Sequence, residues 1–319
     1  MQKGTSMNEN YSRKKMYERS VATISVVNFK CVWGDKEENL RRILGYTEAL
    51  AKRGSEIIVF PETALVGYEN ERTVADKARK MQARLAEPIP GPSTEAVAAL
   101  TKKYGVYVAF GMSELGTDGL TYNAAAVCGP DGVIGSYRKI HLPKEEVYWA
   151  NRGQAPLVIP SPWGPIGIGI CYDSYFFPEL IRYYRAKGAR LYLNPTIVCQ
   201  EEVPGDMCRV TLEANVIQNN IFIASAGMAG KGAYNFAIGG SSIIGPSTHL
   251  SDVHYYAGKP FHAPGGDEEE VFTATIDLAL ADNVSDWNLY CLNDAVGAPD
   301  FRPELYQQWN QEILDDHNW

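Results

Sequence analysis

The stretch GPIGIGICYDSYFFPELIRYYRAKG, residues 164–188, alternates isoleucine with glycine up to Cys171, then gives a Tyr-Asp pair, aromatic residues and Pro178. Its first part reads as a buried strand over 166–170. Pro178 suits a first helical turn, so a helix is expected from there to about Lys187. Strand, sharp turn and helix together hold a reactive side chain at the carboxyl end of a sheet, with backbone N–H groups of the turn facing the reaction site. The residue at the turn is Cys171. A helix start and adjacent cations would favour its thiolate. Free cysteine is also among the most buried residue types and commonly acts as a small hydrophobe. The pattern alone leaves both readings open.

Outward from this stretch, the chain alternates strands and helices. VATISVVNF (21–29) is a β-branched run, and KEENLRRILGYTEALAKRG (36–54) spaces Leu40, Ile43, Leu44 and Leu50 helically before a glycine stop. EIIVFPE (56–62) reads as a buried strand, and the β-α-β opening favours a layered sheet with helices packed on it. A helix near STEAVAALTKKYG (93–105), with a Ser/Thr N-cap candidate and a terminal glycine, leads into VYVAFGMSEL. TYNAAAVCGPDGVIGSYRK (121–139) is a hairpin around Gly-Pro-Asp-Gly, so the sheet is expected to be mixed. Downstream come the strand ARLYLNP, a helix over 206–219, the strand IFIASAGM, the segment GGSSIIGPS, an acidic loop PGGDEEE and the strand VFTATIDLAL (271–280). Residues 1–19 read as a flexible tail or expression remnant, 20–281 as one domain, and 282–319 as an extended C-terminal arm ending in a short helix.

Of 319 residues, 45% are apolar and 21% charged, enough for a packed core and too ordered a composition for general disorder. A net charge of -8 argues against broad attraction to nucleic acid or to an anionic membrane, and the basic run SRKKMYER is too short to reverse it. Six cysteines (31, 128, 171, 199, 208, 291) stand singly, which fits reduced thiols and a cytoplasmic location better than a disulfide framework. Neither a signal-peptide apolar core nor a run of membrane-spanning length is present in the sequence. Cys128, Cys208 and Cys291 are read as core thiols.

A conventional Cys-His pair would need one of five histidines: 141, 249, 254, 262 or 317. His249, His254 and His262 fall in a polar region and read as solvated, which also makes a metal site there a poor expectation. His141 lies in YRKIHLP, beside Lys139, which closes the hairpin. Glu62 closes IIVFPE. A charge at the end of a buried strand is either solvated or aimed into a site at the rim of the sheet.

Glu62, Lys139 and Cys171, in that order within IIVFPETALVGY, YRKIHLP and GIGICYDSYFFPE, resemble the nitrilase superfamily of carbon-nitrogen hydrolases. The likeness extends to YNAAAVCGPDG, LNPT, GGSSIIGPS and RPELY and covers roughly residues 21–306. It implies an α/β fold of mixed sheets, a four-layer αββα sandwich. It also implies Glu62 as general base, Lys139 as the cation on the tetrahedral oxyanion and Cys171 as nucleophile. A second glutamate after the lysine is expected at Glu146, with Glu145 as the alternative. Tyr68, Tyr172, Tyr175, Phe176, Asn194 and Thr196 are the candidate substrate contacts. No metal or organic cofactor is implied. A carboxylate among apolar residues can be raised toward neutrality and so serve as a base, while a nearby cation stabilises charge that develops on the attacked oxygen.

Tyr172-Asp173 after the nucleophile is similar to the amidase and carbamoylase side of the superfamily, so amide or N-carbamoyl substrates are favoured over nitriles. CYDSYFFPE carries one residue more before its proline than relatives usually do, which would reshape a substrate wall or lengthen the turn. It also leaves no arginine where some relatives hold a substrate carboxylate. GPIGIGI lacks the glycine spacing of a dinucleotide fingerprint. Trp287, Tyr290, Tyr306 and Trp309 in the arm suggest packing on a neighbouring subunit, hence a homodimer or larger even-numbered oligomer. The rival readings are a nitrilase, an acyltransferase that passes the acyl group to an amine, and a noncatalytic scaffold.

Overall fold

The computed structural model describes residues 17–68, 73–143, 146–199, 205–233, 235–247, 252–282, 292–293, 298–299 and 301–316. They fall into two compact units, of which Tyr17–Ala281 carries both main sheets. The elements begin with β1 (Val21–Asn28), α1 (Lys36–Lys52), β2 (Ile57–Val59), the single turn α2 (Met81–Arg84), α3 (Pro92–Tyr104), β3 (Tyr107–Leu115), β4 (Thr121–Gly129) and β5 (Gly132–Arg138). They continue with β6 (Ile166–Ile168), α4 (Tyr172–Phe176), α5 (Pro178–Ala186), β7 (Leu191–Thr196), α6 (Gly205–Asn219) and β8 (Phe222–Gly227). Four strands follow: β9 (Ala229–Lys231), β10 (Phe236–Ile238), β11 (Ser242–Pro246) and β12 (Val253–Gly258). Last are β13 (Glu270–Asp277) and, in the other unit, α7 (Pro303–Asp316). Among the described residues no helix is long and apolar enough to cross a membrane.

One sheet has six strands in the order β13-β1-β2-β3-β4-β5, and the other has five in the order β12-β11-β8-β7-β6. Both are mixed. In the first, β1, β2 and β3 run parallel while β3-β4-β5 form the antiparallel hairpin pair anticipated from Gly-Pro-Asp-Gly. In the second, β6, β7 and β8 are parallel and β11 and β12 antiparallel.

Alternation along each strand sorts its residues between two cores. Ala22, Ile24, Val26, Ile57, Val59, Ala109, Ala125 and Val127 of the six-stranded sheet share one core with Ile166, Ile168, Leu191, Leu193 and Ala224 of the five-stranded sheet. On the outer face of the six-stranded sheet, Val27, Ile58, Val108, Phe110 and Ala126 pack with Ile43 and Leu50 of α1 and Val97 and Ala98 of α3. Leu180, Ile181 and Tyr184 of α5 and Cys208, Leu212 and Val216 of α6 complete the core on the five-stranded side. These are the four layers, helix, sheet, sheet, helix. At one end the two sheets are tied by main chain: Phe29 N donates to Gly227 O and Ala229 N to Phe29 O.

Local sequence explains the helix ends. Asp35 caps α1 by accepting from Glu38 N, and Lys52 lies in the last turn, both matched to the helix dipole. At α3 the expected Ser/Thr cap is corrected. Gly91 is the cap residue and Pro92 opens the helix; Thr94 reaches back to Gly91 N, and Ser93 bonds Glu87. Gly105 ends α3 in the left-handed region, φ 68°. The strand expected over 271–280 stops at Asp277, where a tight 3-10 turn takes over. The strand expected over 166–170 stops at Ile168, because Gly169 and Ile170 already lead into the turn.

Candidate active site

The turn at Cys171 is sharper than the sequence implied. Cys171 itself adopts φ 50°, ψ -104°, a costly conformation for a residue with a Cβ, and α4 begins at the next residue. The helix expected from Pro178 is therefore preceded by a separate short one. Phe177 is non-helical and separates α4 from α5. Its ring stacks on His141 at 3.4 Å between centroids.

The strained turn is held by main chain and by β7. Cys171 N donates to Pro195 O at 3.1 Å and to Asn194 Oδ1 at 3.2 Å. Asn194 also accepts from Ser174 Oγ and donates to Ser225 Oγ and Tyr175 Oη. Tyr175 Oη and Thr196 Oγ1 are 2.8 Å apart. Asn194, Tyr175 and Thr196 are thus buried in the network beneath the turn. Gly169 gives the room, since a Cβ there would stand 2.0 Å from Tyr192 Oη.

Glu62 follows β2 and Lys139 follows β5, and both are fully buried. Gly111 of β3 lets the Glu62 turn sit this close, since a Cβ on it would lie 2.1 Å from Thr63 N and 2.5 Å from Glu62 C. Lys139 Nζ donates to Glu62 Oε1 at 2.7 Å and to Glu146 Oε2 at 2.6 Å. Glu146 lies in a short 3-10 turn, Glu146–Tyr148; Glu145 lies outside the described residues. Asn123 of β4 donates Nδ2 to Glu62 Oε1 at 2.7 Å and to Glu146 Oε1 at 2.6 Å. Tyr68, half-buried, donates its hydroxyl to Glu146 Oε2 at 3.2 Å.

Cys171 joins this cluster through one residue. Ile197 N donates to Glu62 Oε2 at 3.1 Å, and Ile197 O accepts from Cys171 Sγ at 3.2 Å. The carboxylate and the thiol therefore meet the same peptide segment at the end of β7. Tyr172 packs its ring against Phe176 and Phe177, with centroids at 4.8 and 5.4 Å, and Phe176 is exposed.

Burial pushes the Cys171 thiol well above its ordinary pKa, and the Glu62 charge adds to this against the opposing pull of Lys139. The expectation of a thiolate favoured by the helix start is corrected: loss of water around the sulfur outweighs the nearby cation. Burial likewise raises the Glu146 carboxyl to about 7, opposed by Lys139 and reinforced by Glu62. For Lys139, burial disfavours the ammonium, but Glu146 and Glu62 outweigh it and hold the side chain charged. Burial pushes Cys128 and Cys208 up to about 12, for Cys208 against a lowering backbone hydrogen bond, and both have the environment of core thiols. Cys291, His249, His317, Trp287 and Tyr290 lie outside the described residues.

Three features escaped the sequence reading. Asn123 is a lone amide in an otherwise apolar strand, and that contrast was its available signal. Asp173, quoted only as a branch marker, is fully buried and accepts from Tyr137 Oη, Ile140 N and His141 N, with His141 Nδ1 at 2.7 Å from Oδ1. It clamps the cysteine turn to the loop that follows Lys139. The Ile197 bridge is main chain and has no residue signature.

The carbon-nitrogen hydrolase family model matches residues 22–286. The chain is 31% identical over 255 residues to an omega-amidase NIT2 of Xenopus tropicalis, covering 76% of this chain and 84% of that protein. It is 29% identical over 251 residues to a nitrilase of Pyrococcus abyssi, covering 78% and 87%. Among solved structures, an amidase from Nesterenkonia sp. superposes with a TM-score of 0.69 at 19% identity, over 93% of this chain and all of that one. With the family match spanning both sheets and the buried cluster, the chain belongs to the carbon-nitrogen hydrolase family and is an amidase-like hydrolase of the nitrilase superfamily.

Proposed function

We propose that the protein cleaves the carbon-nitrogen bond of a small amide or N-carbamoyl compound through a thioester on Cys171. The observation that carries this reading is the buried ammonium of Lys139 held between Glu62 and Glu146, with Ile197 joining Glu62 to the thiol. The raised thiol implies removal of its proton as sulfur attacks, rather than a standing thiolate. Glu62 takes that proton, the carbonyl pair moves onto oxygen, and the developing oxyanion is met by Lys139. An ammonium has three N–H donors. Two of them are engaged by the carboxylates, and the third serves the oxyanion. As the intermediate collapses, Glu62 returns the proton to nitrogen and the C–N bond breaks, releasing ammonia or an amine. Water then gives a proton to Glu62 and adds to the thioester. The C–S bond breaks, Glu62 gives its proton to the departing sulfur, and the acid leaves with the thiol restored.

In this reading Tyr172, Phe176 and Tyr68 contact the substrate, while Tyr175, Asn194 and Thr196 act from beneath the turn. The test is incubation with a panel of amides, carbamoyl compounds and nitriles, following acid release and the mass of the Cys171 adduct. Turnover that persists in Cys171→Ala refutes the role of the thiol. A second reading, nitrile hydrolysis, is favoured by the likeness to the Pyrococcus nitrilase, and matched amide and nitrile pairs separate the two. Product analysis with added amine separates acyl transfer. We also propose a homodimer, supported by the exposed Tyr306, Trp309, Ile313 and Leu314 of α7; a monomer by sedimentation would refute it.

A further inference from the structure

The geometry points to Asn123 as a positioning residue that fixes the separation of Glu62 and Glu146 while Lys139 turns its charge toward the substrate, an inference that rests on the reading above. Asn123 is fully buried in β4, beside the run Ala124, Ala125 and Ala126. Its main-chain oxygen accepts from Lys139 N at 2.8 Å, so the same residue sets the start of the lysine loop. Its side chain turns to the two carboxylates. Ionised carboxylates have no hydrogen to give, so the amide must present its NH2 group, whose two hydrogens match one carboxylate each. Among the described residues Asn123 Oδ1 has no partner. A buried amide oxygen left unpaired is costly, so its donor contacts decide how this side chain is oriented.

The result is a closed cycle. Lys139 spans Glu62 Oε1 and Glu146 Oε2, and Asn123 spans Glu62 Oε1 and Glu146 Oε1. Two like charges buried side by side repel strongly. Lys139 balances that repulsion in the resting site, but its charge is drawn off when an oxyanion forms. Asn123 is neutral and makes no such exchange. It keeps the base in line through both halves of the reaction, and its donation to Glu146 opposes the rise that burial gives that carboxyl.

The test compares Asn123→Leu, which keeps the approximate volume without donors, with Asn123→Ser, which keeps one. Two readouts apply: the pH profiles of kcat and KM on the best amide substrate, and the rate of Cys171 alkylation by iodoacetamide against pH, read by peptide mass spectrometry. Asn123→Leu is expected to lower kcat about 100-fold with KM within about threefold. The acid limb and the onset of alkylation both move to higher pH, because Glu146 without this donor holds its proton more tightly. Asn123→Ser lies between Leu and wild type. A wild-type pH profile in Asn123→Leu overturns the assignment, and if that variant does not fold, an unshifted profile in Asn123→Ser does so. If the wild-type protein turns over no amide or carbamoyl compound, the proposed function fails, and the alkylation profiles still decide the role of Asn123.

Discussion

Glu146→Gln separates the charge of the second carboxylate from its shape. Burial raises the Glu146 carboxyl from 4.5 to about 7. It binds its proton more tightly folded than unfolded, so folding takes up a proton and stability falls as pH rises from about 4.5 to about 7. A shift of roughly 2.5 units at 1.36 kcal/mol each corresponds to about 3 kcal/mol, fully present at low pH and lost above neutrality. Glutamine has no such dependence. It does have a fixed defect, since Lys139 and Tyr68 donate to one oxygen and Asn123 to the other. The glutamine NH2 must face one of these donors, a mismatch of about 1–3 kcal/mol that does not change with pH. The variant is therefore less stable than wild type near pH 5 by about 1–3 kcal/mol, and by pH 8 the difference shifts in its favour by roughly 2.5 kcal/mol, closing or reversing the gap. Urea unfolding followed by tryptophan fluorescence measures this; Trp149, buried one turn from Glu146 and bonded to its carbonyl, reports locally. Parallel stability curves for the two proteins across pH 5–8 would refute the placement of Glu146 as a carboxyl destabilised by burial.

Lys139→Met removes the cation from two buried carboxylates and is expected to lower kcat at least about 1,000-fold; stopped-flow or endpoint acid release checks it. Gly111→Ala puts a methyl against Thr63 N and Glu62 C, so it should cost about 1–3 kcal/mol in denaturant unfolding and, if the displaced Glu62 is the proposed base, reduce kcat. Asp173→Asn loses the carboxylate that accepts from Tyr137, Ile140 N and His141. A fall in kcat of about 10- to 100-fold with a modest drop in thermal midpoint is expected, and unchanged kcat would remove Asp173 from the description of the site.

Much of the layered architecture was legible because each strand carries its periodicity in its own residues. The β-branched run at Val21 and the buried run at Ile57 announce themselves, as does the Gly-Pro-Asp-Gly hairpin. Charges that close apolar runs drew attention to Glu62 and Lys139 for the same reason. The turn at Cys171 was visible as a place but not in its geometry: the positive φ depends on anchors in β7 that are more than twenty residues away. Asn194 and Tyr175 could not be separated from a substrate wall in the sequence, because side-chain direction at a strand end depends on the opposing layer. Asn123 and Asp173 act across elements. Their identity is local, but their partners lie tens of residues along the chain.

The peptide at position 197 connects acid and sulfur with atoms common to all amino acids. Genetic drift at that site can exchange one side chain for another without dissolving the link, proline excepted, since it would abolish the N–H. Side chains around that position can therefore vary while the spacing of carboxylate and thiol stays a property of the backbone.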